Sequence, residues 1–450
     1  MKTYLLNVWD TWRSSYWFVP TLFAVGAVLL SLTVPLLDGS IAQSGWSQPE
    51  WIRTTTPTAR ATLSAMAGAM MAVTGTVFSI TIVTLSLTSQ QFGPRLLRRF
   101  MYDLPTQVTL GVFLSTGLYC LLVLRIVEHH EGGAGAPHLS VLVAVMLSVL
   151  SMAMLIVFIH HVAMLIQAPH VVAAVTRDLD DAIARLFPEE IGDAVDDEQR
   201  NNDHGRDQAA RLGENYPVVR STQDGYIQAI DMDSLMRMAC ERDLLLRLHS
   251  RPGNFISTGS PLADVWTCGE PSAEDSNAGD LTATLNDTVI VGIRRTPRQD
   301  VECAIEELVE IAVRALSPGI NDPFTAMNCI DRLGAALGTL SERKLPTVYR
   351  CDDEGSLRII VRTVSFANAV DAAFNQIRQY GHNSVAVTIR LLEALASVAE
   401  HVQRDEDRDV VKLHAEMVSR HAESFSEEHD KGEIFERLQR VYSLLGDNLS

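Results

Sequence analysis

Three glutamates repeat at intervals of four, Glu302, Glu306 and Glu310, with Glu307 beside the row. On a helix that spacing stacks carboxylates on one face, where like charges repel mildly and a partner is expected. The partner is either a hard divalent cation, which prefers carboxylate oxygens, or arginines such as Arg314 and those of a neighbouring subunit. Upstream lie Arg294, Arg295 and Arg298, and downstream the pair Asn321–Asp322 opens another helical pattern. Arginines beside an amide and a carboxylate suit a small polar ligand, whereas an Asp at a helix start more simply accepts from backbone N–H groups. Arg294, Arg298, Asn321 and Asp322 are therefore the ligand-binding candidates, and Glu302, Glu306 and Glu310 the metal candidates.

A second set of polar residues lies in an apolar stretch. Thr74, Thr81, Thr84 and Thr88 form a hydroxyl-bearing stripe, and Ser64, Gly68, Ala72, Gly75, Ser79 and Ser86 form a stripe of small residues. Small residues let helices approach closely, and hydroxyls bond across helices or to their own i−4 carbonyls. Hydroxyl-lined surfaces also suit partly hydrated ions. Both readings stay open: tight packing, or a path through an oligomer lined by Thr74, Thr81, Thr84, Thr88, Ser79 and Ser86, with Arg95, Arg98 and Arg99 at its cytoplasmic exit. His160 and His161 point about 100° apart on a helix and cannot share a metal unaided. Snorkelling or a bond to a neighbouring helix suits them better. His129, His130 and His138 offer a weak metal site in a Gly-rich loop.

The elements that carry these residues begin with four apolar segments: Tyr16 to Leu37, Ala61 to about Thr88, Val108 to Val127, and Leu139 to Leu165. About 20 apolar residues cross a hydrocarbon core of about 30 Å, and only helices satisfy their own backbone in lipid here. Lys2, Arg13, Arg95, Arg98 and Arg99 lie on one side, while the loop EHHEGGAGAPH carries no Lys or Arg. Positive-inside reasoning puts both termini in the cytoplasm, although Arg53 and Arg60 weaken the asymmetry. A cleaved signal peptide fits the first segment poorly, because a long polar and aromatic stub precedes it.

Up to Gln167 eight Lys and Arg face six Asp and Glu; the whole chain carries −18, so the remainder carries −20. So acidic a region argues against nucleic acid and against anionic headgroups as partners. Six cysteines without C-x-x-C spacing exclude a zinc ribbon and fit a reducing compartment.

Residues 168–213 read as an amphipathic helix, Ala168 to Phe187, followed by the acidic linker DDEQRNNDHGRDQ. Residues 214–295 read as a small α/β or β-rich module: strands at Pro217 to Ser221, Gly225 to Ile230, Leu244 to His249 and Thr288 to Ile293, a helix over Met232 to Arg242 capped by Asp231, and a loop over Cys268 to Asp280. Residues 296–450 read as helical. Thr296 and Gln299 have capping-box spacing with Pro297 at the first helical position. Pro318-Gly319 stops that helix, and Asn321-Asp322-Pro323 caps the next, which is expected to bury Phe324, Met327 and Ile330. Later helices fall at Ala369 to Tyr380, Ser384 to Gln403, Val410 to His421 and Glu433 to Leu445, with Asp405 to Asp409 as a turn.

The string ALSPGINDPFTA, the upstream RTPRQD and the membrane-side LTSQQFGPRLLRRF resemble the bacterial family of predicted membrane proteins described as domain of unknown function 2254. The resemblance spans nearly the whole chain. It implies four membrane helices followed by a soluble domain and carries no activity with it.

The fold class expected is thus an α-helical membrane protein: four transmembrane helices, then a cytoplasmic α+β domain made of a small β-rich module and a helical bundle. No P-loop, G-x-S-x-G elbow, H-E-x-x-H helix or dinucleotide fingerprint is present, and no cofactor is expected. The leading expectation is a homo-oligomeric channel or pore-like protein of the bacterial inner membrane, with the lipid bilayer and further copies as partners and an ion or small molecule as candidate ligand. The alternative is a membrane-tethered enzyme or scaffold.

Overall fold

The computed structural model describes residues 16–43, 54–95, 100, 103–129, 138–187, 209, 216–267 and 278–446. They divide into two compact units, residues 1–170 and 171–450.

The first unit holds four helices long and apolar enough to cross a membrane: α1 (Phe18–Gln43), α2 (Thr56–Phe92), α3 (Leu104–His129) and α4 (His138–Leu165). Helix α3 is the centre, with 56% of its apolar span buried against 17–22% in the others. It packs on α1, α2 and α4. Gly111 lets α1 approach, since a Cβ there would lie 2.9 Å from the Phe23 ring. Tyr119, Cys120 and Val123 of α3 join Leu63 and Ala67 of α2 and Ala144 of α4 in one core cluster. At 37 residues α2 is the longest helix, about 55 Å at 1.5 Å per residue.

Some polar side chains inside this unit bond from helix to helix. Asp38, near the C-terminal end of α1, is buried and caps α4: its carboxylate accepts from the N–H groups of Leu139 and Ser140 and from the Ser140 hydroxyl, each at 3.0 Å. A carboxylate at a helix N-terminus meets both orphan N–H groups and the positive end of the macrodipole. The hydroxyls of Thr116 and Ser151 join α3 to α4 at 3.0 Å.

The second unit opens with α5 (Ala168–Leu186), whose buried face is Val171, Val172, Val175, Leu179 and Ile183, in line with its apolar spacing. Two sheets follow. The larger has the order β1 (Val218–Arg220), β5 (Pro261–Thr267), β3 (Leu244–Leu248), β8 (Leu357–Ile360), β7 (Tyr349–Cys351). All its pairings are antiparallel except β3 with β8, where Leu246 faces Ile359 in parallel. The smaller sheet is antiparallel, in the order β4 (Phe255–Ile256), β2 (Gly225–Ile230), β6 (Val289–Gly292). Helix α6 (Met232–Glu241) starts at Asp231, which accepts from the Ser234 N–H at 3.1 Å. Helix α7 (Ala278–Asp287) begins within the stretch expected to be a loop; residues 268–277 of that stretch lie outside the described residues.

The bundle comprises α8 (Val301–Ala315), α9 (Pro323–Glu342), α10 (Phe366–Gly381), α11 (Val385–Ala399), α12 (Asp405–Ser419) and α13 (Glu428–Leu445). Two expectations need correction here. Asp405, Glu406 and Asp407 occupy the first turn of α12 and not a turn between helices, a placement the helix dipole favours. Strands β7 and β8 come from the region read as helical and complete the larger sheet of the β-rich part.

Candidate functional site

The polar residues upstream of α8 converge on Arg295. Its Nε and Nη2 donate to the two oxygens of Asp300 at 2.8 and 3.0 Å, and its Nη1 donates to Glu306 at 2.5 Å. Glu302 lies 3.6 Å from the same guanidinium and accepts from Arg251 at 2.7 Å. Asp300 is buried and also accepts from the Cys303 N–H at 3.1 Å, which makes it the N-cap of α8. Burial opposes the charge on Arg295, but the bonds and charges of Asp300 and Glu306 outweigh it and raise its ionisation further. Gly253 closes the junction at φ +93°, where any Cβ would collide with the Asp300 carboxylate. Two turns and a helix N-terminus are thereby tied by paired charges, the geometry of a structural joint.

This arrangement revises the expected helix start. Thr296 and Gln299 do not form a capping box. The Gln299 amide is spent on Ile230 in both directions, accepting from its N–H at 3.0 Å and donating to its carbonyl at 3.3 Å. Asp300 takes over the cap.

The glutamate row finds cationic partners. Glu302 pairs with Arg251 and Arg295, Glu306 with Arg295, and Glu310 with Arg314 at 3.2 Å. Among the described residues no three His, Cys, Asp or Glu side chains come together as a metal site. The ligand-binding candidates separate as well. Arg294 and Arg298 are exposed at the start of α8, while Asn321 and Asp322 sit beyond its other end. Fifteen residues of helix hold the two groups about 22 Å apart. Asp322 caps α9, accepting from the N–H and hydroxyl of Thr325 at 3.1 and 2.5 Å, and Asn321 takes φ +51° in the turn. Ile330 is buried as expected and Met327 partly so, but Phe324 is 77% exposed. Its position in the first turn points it away from the helices that α9 packs against.

On α2 the two stripes fall on different faces. Thr81, Thr84 and Thr88 are buried within the subunit; Ser64, Gly68, Ala72, Gly75, Ser79 and Ser86 are all exposed. At about 100° per residue, Ser79 and Ser86 lie roughly 140–160° around the helix from Thr81. The six hydroxyls proposed as one lining do not share a face. Thr74 and Thr81 donate to the carbonyls of Met70 and Val77 at 2.7 and 2.8 Å. A Cβ at Gly68 or Gly75 would meet nothing within 4 Å, so among the described residues that face is open. Arg95 is exposed beyond the end of α2, and Arg98 and Arg99 lie outside the described residues.

Two histidines find partners. The ring of His161 on α4 bonds Asp103 at 2.8 Å, and Asp103 also accepts from the Thr106 N–H at the start of α3. His138 accepts from the Thr54 N–H at 2.9 Å. His160 is exposed; His130 and the side chain of His129 lie outside the described residues. Sequence reasoning missed Arg251, Asp300 and Asp38. The pattern D-x-x-C before an apolar run, Asp300 to Cys303, and the R-P-G-N turn at Arg251 are the signals that pointed to the first two.

A four-helix apolar unit followed by a domain of helices and sheet defines a membrane protein with a large non-membrane portion. The family model described as "Predicted membrane protein (DUF2254)" matches residues 13–397, and the chain belongs to that family. Uncharacterised proteins of Mycobacterium bovis and of two Mycobacterium tuberculosis strains are each 30% identical over 430 residues, covering 94% of this chain and 80% of theirs. No solved structure matches the chain.

Proposed function

We propose that the protein is a homo-oligomeric, channel-like protein of the bacterial inner membrane, with its termini and large domain on the cytoplasmic side. The observation that carries this reading is the open small-residue face of α2. Six residues with no bulk, from Ser64 to Ser86, run along a face of the helix that the described residues of the subunit leave uncovered. In lipid, such faces are where helices meet closely. Four helices are few to enclose a path by themselves, so on this reading a path for an ion runs between copies. Ser79 and Ser86 then supply its hydroxyls and Arg95 stands at its exit. The distribution of Lys and Arg in the short loops supports the orientation.

The tethered-enzyme reading draws no comparable support. The carboxylates that motivated it, Glu302, Glu306 and Asp322, are engaged by Arg251, Arg295 and Thr325. The test is reconstitution. Wild-type protein in liposomes should pass a monovalent ion and migrate as an oligomer in mild detergent. Gly68→Leu with Gly75→Leu should leave a folded monomer without flux. A wild-type monomer, or silence in every ionic condition and voltage tried, would overturn the reading.

A further inference from the structure

The second unit contains a cavity of about 220 Å³, which borders the Arg295 junction through Arg251 and Gln299. Its walls are apolar: Phe187 just beyond α5, Ile230 of β2, Leu248 of β3, and Val361 just after β8. Three arginines, Arg251, Arg350 and Arg362, line it as well, and among the described residues no Asp or Glu does. That lining stands out in a region carrying net −20 beyond Gln167 of a −18 chain. The arginines are held to different degrees. Arg251 is fixed by Glu302 at 2.7 Å, and Arg350 donates to the Thr347 hydroxyl at 2.7 Å. Arg362 is exposed and has no ion-pair partner among the described residues. The wall is held in place: the Phe187 carbonyl accepts from Arg343 at 2.9 Å, and Gln299 clamps the backbone of Ile230.

We propose that this cavity binds a small soluble amphipathic anion: a short acyl or aryl body carrying a carboxylate or phosphate. An apolar hollow of this kind rewards apolar surface removed from water. Guanidinium groups match the planar or tetrahedral oxygens of carboxylate and phosphate, often bidentately. A volume below the ~300 Å³ lower end of drug-sized sites limits the ligand to a short body. Neither feature alone selects this class. A neutral hydrocarbon leaves Arg362 unused, and inorganic phosphate leaves the apolar wall wet. The assignment does not depend on channel activity.

The experiment uses full-length protein in a non-ionic detergent, with calorimetric titration and thermal unfolding as readouts. The probes are octanoate and octyl phosphate, with octanol and inorganic phosphate as the halves of each. Saturable binding and stabilisation by octanoate and octyl phosphate, at least tenfold tighter than octanol or phosphate, is the expected result. Arg362→Gln, at an exposed position that leaves the fold intact, should weaken octanoate about tenfold and leave octanol unchanged. Arg362→Lys should restore part of the loss. Equal binding of octanol and octanoate, no effect of Arg362→Gln, or no saturable binding would overturn the proposal. Full loss of the octanoate site in nanodiscs containing phosphatidic acid, but not in phosphatidylcholine nanodiscs, would assign the cavity to membrane lipid and overturn the soluble ligand.

Discussion

Replacing Arg295 by methionine keeps most of the side-chain volume and removes the charge at the centre of the α8 junction. Asp300 is 1% exposed and loses both of its guanidinium bonds, keeping only the Cys303 N–H. Removing one partner of a buried pair costs about 3–5 kcal/mol, because the stranded charge stays out of water. Glu302 retains Arg251 and Glu306 is partly solvated, so the lower end applies, about 3 kcal/mol. For a unit of this size that lowers the midpoint by roughly 6–12 °C. Adding Asp300→Asn keeps an oxygen for the cap while discharging the stranded group, and should return about 1–2 kcal/mol of the loss. Glu306→Gln, on a side chain 25% exposed, should cost less than about 1 kcal/mol. Thermal unfolding of detergent-solubilised protein, followed by circular dichroism, measures all three. A drop under about 2 °C for Arg295→Met, or a double variant no better than the single, would refute the stranded-charge account.

Four further outcomes follow from the same structure. His414 is buried, and burial holds its imidazole below the usual value against the pull of Asp371 3.1 Å away. The unfolded chain then binds the extra proton more readily, so stability should fall as pH drops below about 6.5; His414→Phe should flatten that dependence in denaturant titrations. Asp38→Ala should destabilise the membrane unit by about 1–2 kcal/mol through loss of the α4 cap, read as faster proteolysis near His138. Gly253→Ala should lower the stability of the second unit by at least about 1 kcal/mol, since φ +93° and the Asp300 carboxylate both oppose a Cβ; an unchanged unfolding midpoint would contradict this. Cysteines at Ser79 and Ser86 should react with a membrane-permeant thiol reagent in dispersed subunits, while those at Thr84 and Thr88 stay protected. The reverse pattern would place the wrong face of α2 inside.

The apolar runs were legible because length and composition suffice for them. All four helices of the first unit lie where unbroken apolar sequence required; the first starts at Phe18, just after the expected Tyr16, and most other ends extend by a few residues. Strand β2 and helix α6 were read closely because alternation and the Asp231 cap are local signals. The strands β7 and β8 were not, since a short strand such as Leu357–Ile360 earns its place from pairing with β3, more than a hundred residues away. Site residues failed for the same reason. Glutamates at i, i+4, i+8 do share a face, but their partners Arg251 and Arg295 come from turns that no periodicity identifies. Arg294 and Asp322 are close in the chain, yet the straight α8 between them sets them apart.

The division of α2 into two faces has a physical cause. Threonine can return its hydroxyl to the carbonyl four residues back, as Thr74 and Thr81 do, which leaves a compact, satisfied surface able to pack inside a subunit. Glycine, alanine and serine carry so little side chain that, facing lipid, they leave a groove that acyl chains fill poorly. A second helix fills it well, because dispersion falls steeply with any gap. The inward threonines thus account for the fold of one copy, and the outward small residues account for nothing in it. On the proposed reading their role is to bring a second copy's helix close. From Ser64 to Ser86 the small residues span about 33 Å at 1.5 Å per residue, close to a hydrocarbon core of about 30 Å. An assembly held only by its soluble domains would have no use for that groove, so leucines at Gly68 and Gly75 distinguish the two arrangements directly.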